Sequence, residues 1–345
     1  MLGFEREVIA LNLTYDTDTY QLSKTEHRLP ARWIIMGGHK EGEEMNMEMP
    51  AKEGFIPFRG YKTWYRSVGG QEEAGGAAFV CLHGGPGATH DYFTPLEALA
   101  TTGRQVILYD QLGWGNSDHV NNTALWSIEL FIEELGEVRK ALGLEHVHIL
   151  GHSWGGMLAM EYALTRPEGL ASVILADTTA STPQWMVETN RLVSELPPEV
   201  QQTIHKHEVE GTTNSTEYME ACKAFSKRHA GGHIDPKPEW VKKAFEKLSD
   251  NEVYLTMWGP SEFCATGTLK DWDITDRLGE IRIPTLVLAG RYDEATPTLA
   301  ETLQHGISDS ELVIFENSAH FPHIEETERY LQVLERFLRR VEANT

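Results

Sequence analysis

A serine stands between glycines in Gly151-His152-Ser153-Trp154-Gly155-Gly156, after the apolar run His146-Val147-His148-Ile149-Leu150 and before a helix-like Met157-Leu158-Ala159-Met160. A glycine-flanked serine on a sharp strand-to-helix turn holds its hydroxyl clear of the sheet, where it can act as a nucleophile. A hydroxyl is a weak nucleophile near neutral pH, so it needs a base, and the base needs a carboxylate to orient it. His320, in Asn317-Ser318-Ala319-His320-Phe321, and Asp293, in Gly290-Arg291-Tyr292-Asp293-Glu294, each follow an apolar strand-like run. Glu294 is the runner-up acid, placed further into the helix expected next. Open sheets gather such residues on one rim, at the C-terminal ends of their strands. Acyl transfer also needs N–H donors aimed at a developing oxyanion. The glycine-rich loop His83-Gly84-Gly85-Pro86-Gly87 offers Gly85 N–H, and Trp154 N–H follows the serine; His83 reads as a residue that shapes the loop.

The elements that must position these groups alternate. Residues 55–58 and 62–68 flank Arg59-Gly60-Tyr61 and read as a hairpin. Short apolar strands are expected at 77–82, 105–109, 146–150, 171–176, 283–289 and 311–315. Helical spacing marks 92–101, 127–142 and 326–340. Strands separated by helices imply a parallel sheet covered on both faces. The rhythm stops near Ser181 and resumes after about residue 272. Between them lie helix-like stretches at 186–196, 200–210, 216–228 and 238–248, with no buried strand. The expected division is an N-terminal extension over 1–50, an α/β core over 51–180 and 273–345, and a helical insertion over 181–272.

Composition narrows the function classes. A formal charge of −22 repels phosphate backbones and argues against nucleic acid as a partner. No run is long and apolar enough for a membrane span, and the charged first residues lack a signal-peptide layout, so a cytoplasmic location is expected. Cys81, Cys222 and Cys264 lie far apart, without C-x-x-C spacing. With no H-E-x-x-H helix and no cluster of ligands, neither metal nor cofactor is expected.

The order Ser153, Asp293, His320 is the order of α/β-hydrolases. More specifically, the chain resembles the proline iminopeptidase (prolyl aminopeptidase) family, including its tricorn-interacting aminopeptidase branch. The likeness rests on His83-Gly84-Gly85-Pro86-Gly87, Asp110-Gln111-Leu112-Gly113-Trp114-Gly115-Asn116-Ser117 and the Ser153 segment. Trp258-Gly259-Pro260-Ser261-Glu262-Phe263, Asp271-Trp272-Asp273 and Gly290-Arg291-Tyr292-Asp293 extend it, over roughly residues 54–340. The resemblance implies an α/β-hydrolase fold whose helical insertion caps the site. It implies a metal-independent serine aminopeptidase acting on short peptides or amino-acid amides with a free N-terminus. In that family acidic cap residues bind the substrate ammonium; Glu262 matches one, and a second is expected earlier in the cap, with Asp235 the nearer candidate and Glu239 another. Trp258, Phe263 and Phe321 can line a proline-sized pocket or pack in the core. An amino-acid amidase or small-ester hydrolase is the near alternative. A ligand-binding protein without catalysis is the alternative of another class, since fold does not fix function.

Overall fold

The computed structural model describes residues 49–70, 77–231, 234–246 and 248–344; the expected extension over 1–50 falls almost wholly outside them. The hairpin forms from β1 (Ala51–Phe58) and β2 (Tyr61–Val68). It is followed by β3 (Ala78–Leu82), β4 (Val106–Tyr109), α1 (Ile128–Ala141), β5 (Val147–His152), α2 (Trp154–Leu164) and β6 (Leu170–Ala176). Five helices come next: α3 (Thr182–Val193), α4 (Pro198–Glu210), α5 (Thr216–His229), α6 (Glu239–Ala244) and α7 (Glu252–Met257). The chain closes with β7 (Thr285–Gly290), α8 (Pro297–Gly306), β8 (Ser310–Phe315), α9 (Pro322–Glu325) and α10 (Thr327–Glu342).

The strands make one sheet in the order β1-β2-β4-β3-β5-β6-β7-β8, antiparallel from β1 through β4 and parallel thereafter. Strands β3, β4, β5 and β7 are buried along their whole length, as continuous apolar runs in a sheet covered on both faces must be. Alternation divides each strand between two cores. In β3, Ala78, Val80 and Leu82 face a cluster that includes Leu130 of α1, Leu158 of α2 and Leu303 of α8. Phe79 and Cys81 face the other side, against Tyr92 and Leu96 of a 3-10 segment (His90–Thr102) and Leu334 and Leu338 of α10. Cys81 is an inert core thiol in this setting, since burial pushes it well above its ordinary pKa.

The expected helices of the insertion are present with shifted ends. Helix α3 starts earlier because the Ser181 side chain accepts from Gln184 N–H at 3.3 Å, capping a turn that accommodates Pro183. The helix expected to reach residue 248 ends at Ala244. Helix α7, and α9 outside the insertion, are additional. Leu192, Ile204, Tyr218, Phe225 and Phe263 pack together as a small core of the insertion, which settles Phe263 as packing. The two ends of this segment are joined: Ser181 pairs with Asp273 across a β-bridge, and Ser181 Oγ donates to Asp273 Oδ2 at 2.8 Å. Thr182 N–H donates to Trp272 O at 2.8 Å, and Ile274 N–H to Ala180 O at 2.9 Å.

The turn between β5 and α2 brings helix and strand backbones into contact. A Cβ on Gly155 would fall on the carbonyl oxygen of Leu82 in β3. Backbone cannot swing aside as a side chain can, so Gly155→Ala is expected to destabilise the fold by about 3 kcal/mol, read as a lower midpoint in urea unfolding.

Candidate active site

The ends of three strands on one rim supply the expected residues. Ser153 lies between the end of β5 and the start of α2, with φ 56° and ψ −123°. A non-glycine residue held there is strained, and the surroundings fix it. Ser153 N–H donates to Ala176 O at 2.9 Å, and Thr178 Oγ1 donates to Ser153 O at 2.7 Å. Asp293 follows β7 and His320 follows β8. His320 Nδ1 donates to Asp293 Oδ1 at 2.6 Å, and Asp293 Oδ1 also accepts from Ala295 N–H at 2.9 Å. Glu294 faces the opposite edge of the ring, its Oε1 3.7 Å from His320 Nε2. The expected helix there begins only at Pro297, so Glu294 sits in a loop, 2% exposed.

The glycine-rich loop is held against the serine turn. At Gly85 φ is 111°, and a Cβ would meet Gly87 N at 2.6 Å, so the loop requires glycine there. Trp154 is the first residue of α2, where a backbone N–H has no intrahelical acceptor and the helix dipole favours negative charge. Gly85, Ser153 and Trp154 line one small chamber together. His83 shapes the loop: its Nδ1 donates to Gly84 O at 3.0 Å and its Nε2 accepts from Gln111 N–H at 2.9 Å. The Gln111 side chain donates to His83 O at 3.0 Å and accepts from Trp154 Nε1 at 2.8 Å. Asp110 accepts from His90 N–H and Asn116 N–H, both at 2.8 Å. The second sequence motif is thus a brace for the first and third.

A further relay was not legible as chemistry. Gly84 N–H donates to Tyr92 Oη at 2.7 Å, Tyr92 Oη donates to His152 Nδ1 at 3.1 Å, and His152 Nε2 donates to the His320 carbonyl at 2.7 Å. It ties the glycine-rich loop to the backbone of the imidazole loop. Burial, followed by the fields of His320 and His323, holds His152 well below its ordinary pKa, so it stays neutral and keeps this pattern.

Acidic groups crowd the imidazole. Burial pulls His320 down, but the charges of Asp293 and Glu294, the hydrogen bond to Asp293 and the charge of Glu262 hold it up at about 9. Burial and the charge of Glu262 push Glu294 well above the usual carboxylate range. Burial likewise raises Glu262, against the opposing hydrogen bond from Tyr254 Oη, which it accepts at 2.7 Å. Asp177, directly after β6, accepts from Gly290 N–H at 3.1 Å; burial and the nearby charge of Asp293 push it well above the usual carboxylate range.

Two chambers meet at Ser153. The smaller, about 10 Å³, is walled by Met157, Thr178, Trp185 and Trp258 and holds little more than one water. The larger, about 410 Å³, is lined by His320, Glu294 and Phe321 and by residues of the insertion. Gly85, Ser153 and Glu262 line both. Trp258 and Phe321 therefore face the site. Asp235 does not: it precedes Pro236 on an exposed connection and lines neither chamber, and Glu239 is exposed as well. The carboxylate that does accompany Glu262 is Glu294.

Comparisons with known proteins agree with this architecture. The family model described as alpha/beta hydrolase fold matches residues 77–327. The proline iminopeptidase of Heyndrickxia coagulans is 44% identical over 83% of this chain and 98% of its own length. That of Saccharolobus solfataricus is 38% identical over 87% and 95%. The crystal structure of proline iminopeptidase from Mycobacterium smegmatis superposes with a TM-score of 0.78 at 36% identity, covering 85% of this chain and 99% of that one. The crystal structure of VinJ superposes with a TM-score of 0.80 at 41% identity, covering 84% and 99%. With such identity across nearly the full length of these relatives, on top of a shared fold, the chain belongs to the proline iminopeptidase family of α/β-hydrolases.

Proposed function

We propose that the protein is a serine aminopeptidase that releases an N-terminal residue, proline or another compact apolar one, from short peptides. The observation that carries this reading is the pair Glu262 and Glu294, two carboxyls turned toward the chamber that also holds Ser153 and His320. Glu294 Oε2 is buried without a hydrogen-bond partner among the described residues. Both carboxyls are raised by burial, and Glu294 also by the charge of Glu262, so a cation between them stabilises the pair. An α-ammonium beside the scissile carbonyl supplies one, and it makes a free N-terminus a requirement. The relatives favour neither the amidase and esterase alternative nor the non-catalytic one.

Each step falls to a named group. Ser153 Oγ attacks the carbonyl while His320 Nε2 takes its proton, and Asp293 holds Nδ1–H and stabilises the imidazolium. Gly85 N–H and Trp154 N–H receive the oxyanion. His320 returns the proton to the leaving amine, and water activated by the freed imidazole releases the acyl group from Ser153. The insertion over residues 181–272 acts as the cap, excluding large proteins and supplying Glu262. With its pKa held at about 9, His320 is mostly protonated at neutral pH and is a poor base. Arrival of an ammonium opposes the charges of Glu262 and Glu294, lowers the imidazole's pKa and frees the base when substrate is present.

Ser153→Ala is expected to abolish turnover and fluorophosphonate labelling while leaving the unfolding midpoint nearly unchanged, because the hydroxyl makes little contribution to the core. Glu262→Gln should lower kcat/KM at least about tenfold, about 1.4 kcal/mol, for proline arylamide, with a small effect on an acyl ester lacking an α-amine. Equal losses on both substrates would assign Glu262 to support of the insertion.

The pH profile provides a separate check. With the amine-free ester, Glu294→Gln removes a carboxyl whose charge helps hold His320 up, favours the neutral ring, and should move the acidic limb of kcat/KM to lower pH by about one pH unit. In the unaltered enzyme the acidic limb of kcat for proline arylamide should lie below that of kcat/KM. A limb that stays in place in the variant contradicts the proposed role of Glu294.

A further inference from the structure

The two chambers at Ser153 divide the reaction between them. A leaving amine must take its proton from His320, and His320 lines only the larger chamber. The oxyanion donor Trp154 and the walls Trp185 and Trp258 line only the smaller one. The narrow end therefore receives only the scissile carbonyl oxygen, the acyl residue lies beside Ser153 with its ammonium at Glu262 and Glu294, and the departing part of the peptide extends into the rest of the volume of about 410 Å³, which falls in the range of small-ligand sites.

The walls of that volume have a definite chemistry. Ile234, Val241, Phe245 and Phe321 present apolar surface. Glu262 and Glu294 stand at the Ser153 end. The remaining charged residues on its lining, Lys237 and Lys242, are exposed. Lys242 shares a loose pair with Glu239, 3.4 Å apart in solvent, which leaves its ammonium able to turn to a better partner. Negative charge near the nucleophile and positive charge on the exposed side match a short peptide with both ends free, its ammonium inward and its carboxylate outward.

We propose that the outer part of this chamber is a leaving-group subsite for an apolar residue ending in a free carboxylate, with Lys237 and Lys242 reading that carboxylate. The preferred substrates are then di- and tripeptides whose second residue is apolar, and chain length is limited by charge as well as by space. The assignment rests on the aminopeptidase reading above and adds the identity of the departing group.

The test compares kcat/KM for prolyl-phenylalanine, its C-terminal amide, prolyl-glycine and proline arylamide at low salt. Prolyl-phenylalanine is expected to exceed its amide about threefold to tenfold, since both lysines act from solvent. It should exceed prolyl-glycine about tenfold through burial of the phenyl ring. The double variant Lys237→Gln/Lys242→Gln should bring the acid down to the level of the amide, and high salt should do the same to the unaltered enzyme. Equal values for acid and amide in the unaltered enzyme, or equal losses on both in the variant, would overturn the role of the lysines. No advantage of phenylalanine over glycine would overturn the apolar lining as a specificity device. Failure to turn over proline arylamide would instead sink the aminopeptidase reading itself.

Discussion

Charge balance in the water-poor space around one imidazole governs the site. His320 has Asp293 on one ring nitrogen and Glu294 opposite the other, with Glu262 within electrostatic reach. Behind them lie Asp177, raised by burial and by the charge of Asp293, and Glu325, which accepts from Ala319 N–H at 2.6 Å and is pushed up to about 7 by burial. So many carboxyls cannot all ionise in a poorly solvated space around a single cation. Asp177 is pushed well above the usual carboxylate range, and Asp293 Oδ1 orients the ring by accepting from His320 Nδ1. On the function proposed above, a substrate that brings its own ammonium offsets this crowding of acidic groups.

That requirement explains how labour is divided between sheet and insertion. The sheet fixes what must not move: β5, β7 and β8 end on the same rim, and backbone contact between β3 and α2 sets the serine turn against the glycine-rich loop. The relay through Tyr92 and His152 carries this rigidity across to the imidazole loop. The insertion contributes Trp185, Trp258 and Glu262, which shape the volume around the nucleophile without supplying it. The chain's net charge of −22 adds a long-range attraction for cationic molecules that no single contact provides.

Much of this was readable from residues alone, for identifiable reasons. Apolar runs of five or six residues alternating with helical spacing leave few options but a covered parallel sheet. The serine, acid and imidazole each sit just beyond such a run. Glu294 was legible as the runner-up acid but not as the carboxylate beside Glu262, because it was placed in a helix that starts only at Pro297. In the loop, consecutive side chains diverge, and Asp293 and Glu294 reach opposite nitrogens of one ring. Asp235 attracted attention by its place in the chain, yet the exposed turn at Pro236 keeps it off the chamber. Tyr92 and His152 are paired across sixty positions that no local pattern connects.

The closure at Ser181 and Asp273 has a consequence for how such a molecule diversifies. Five helices leave the sheet and return to it through two chain segments already bonded side by side. Because the ends are held together by the frame, lengthening, shortening or replacing what lies between them adds only a slowly growing closure entropy. The register of β6 against β7 does not depend on that content. The segment is therefore an interchangeable cassette plugged into a fixed socket: selection can retune what is recognised while the reacting atoms stay where the sheet has set them.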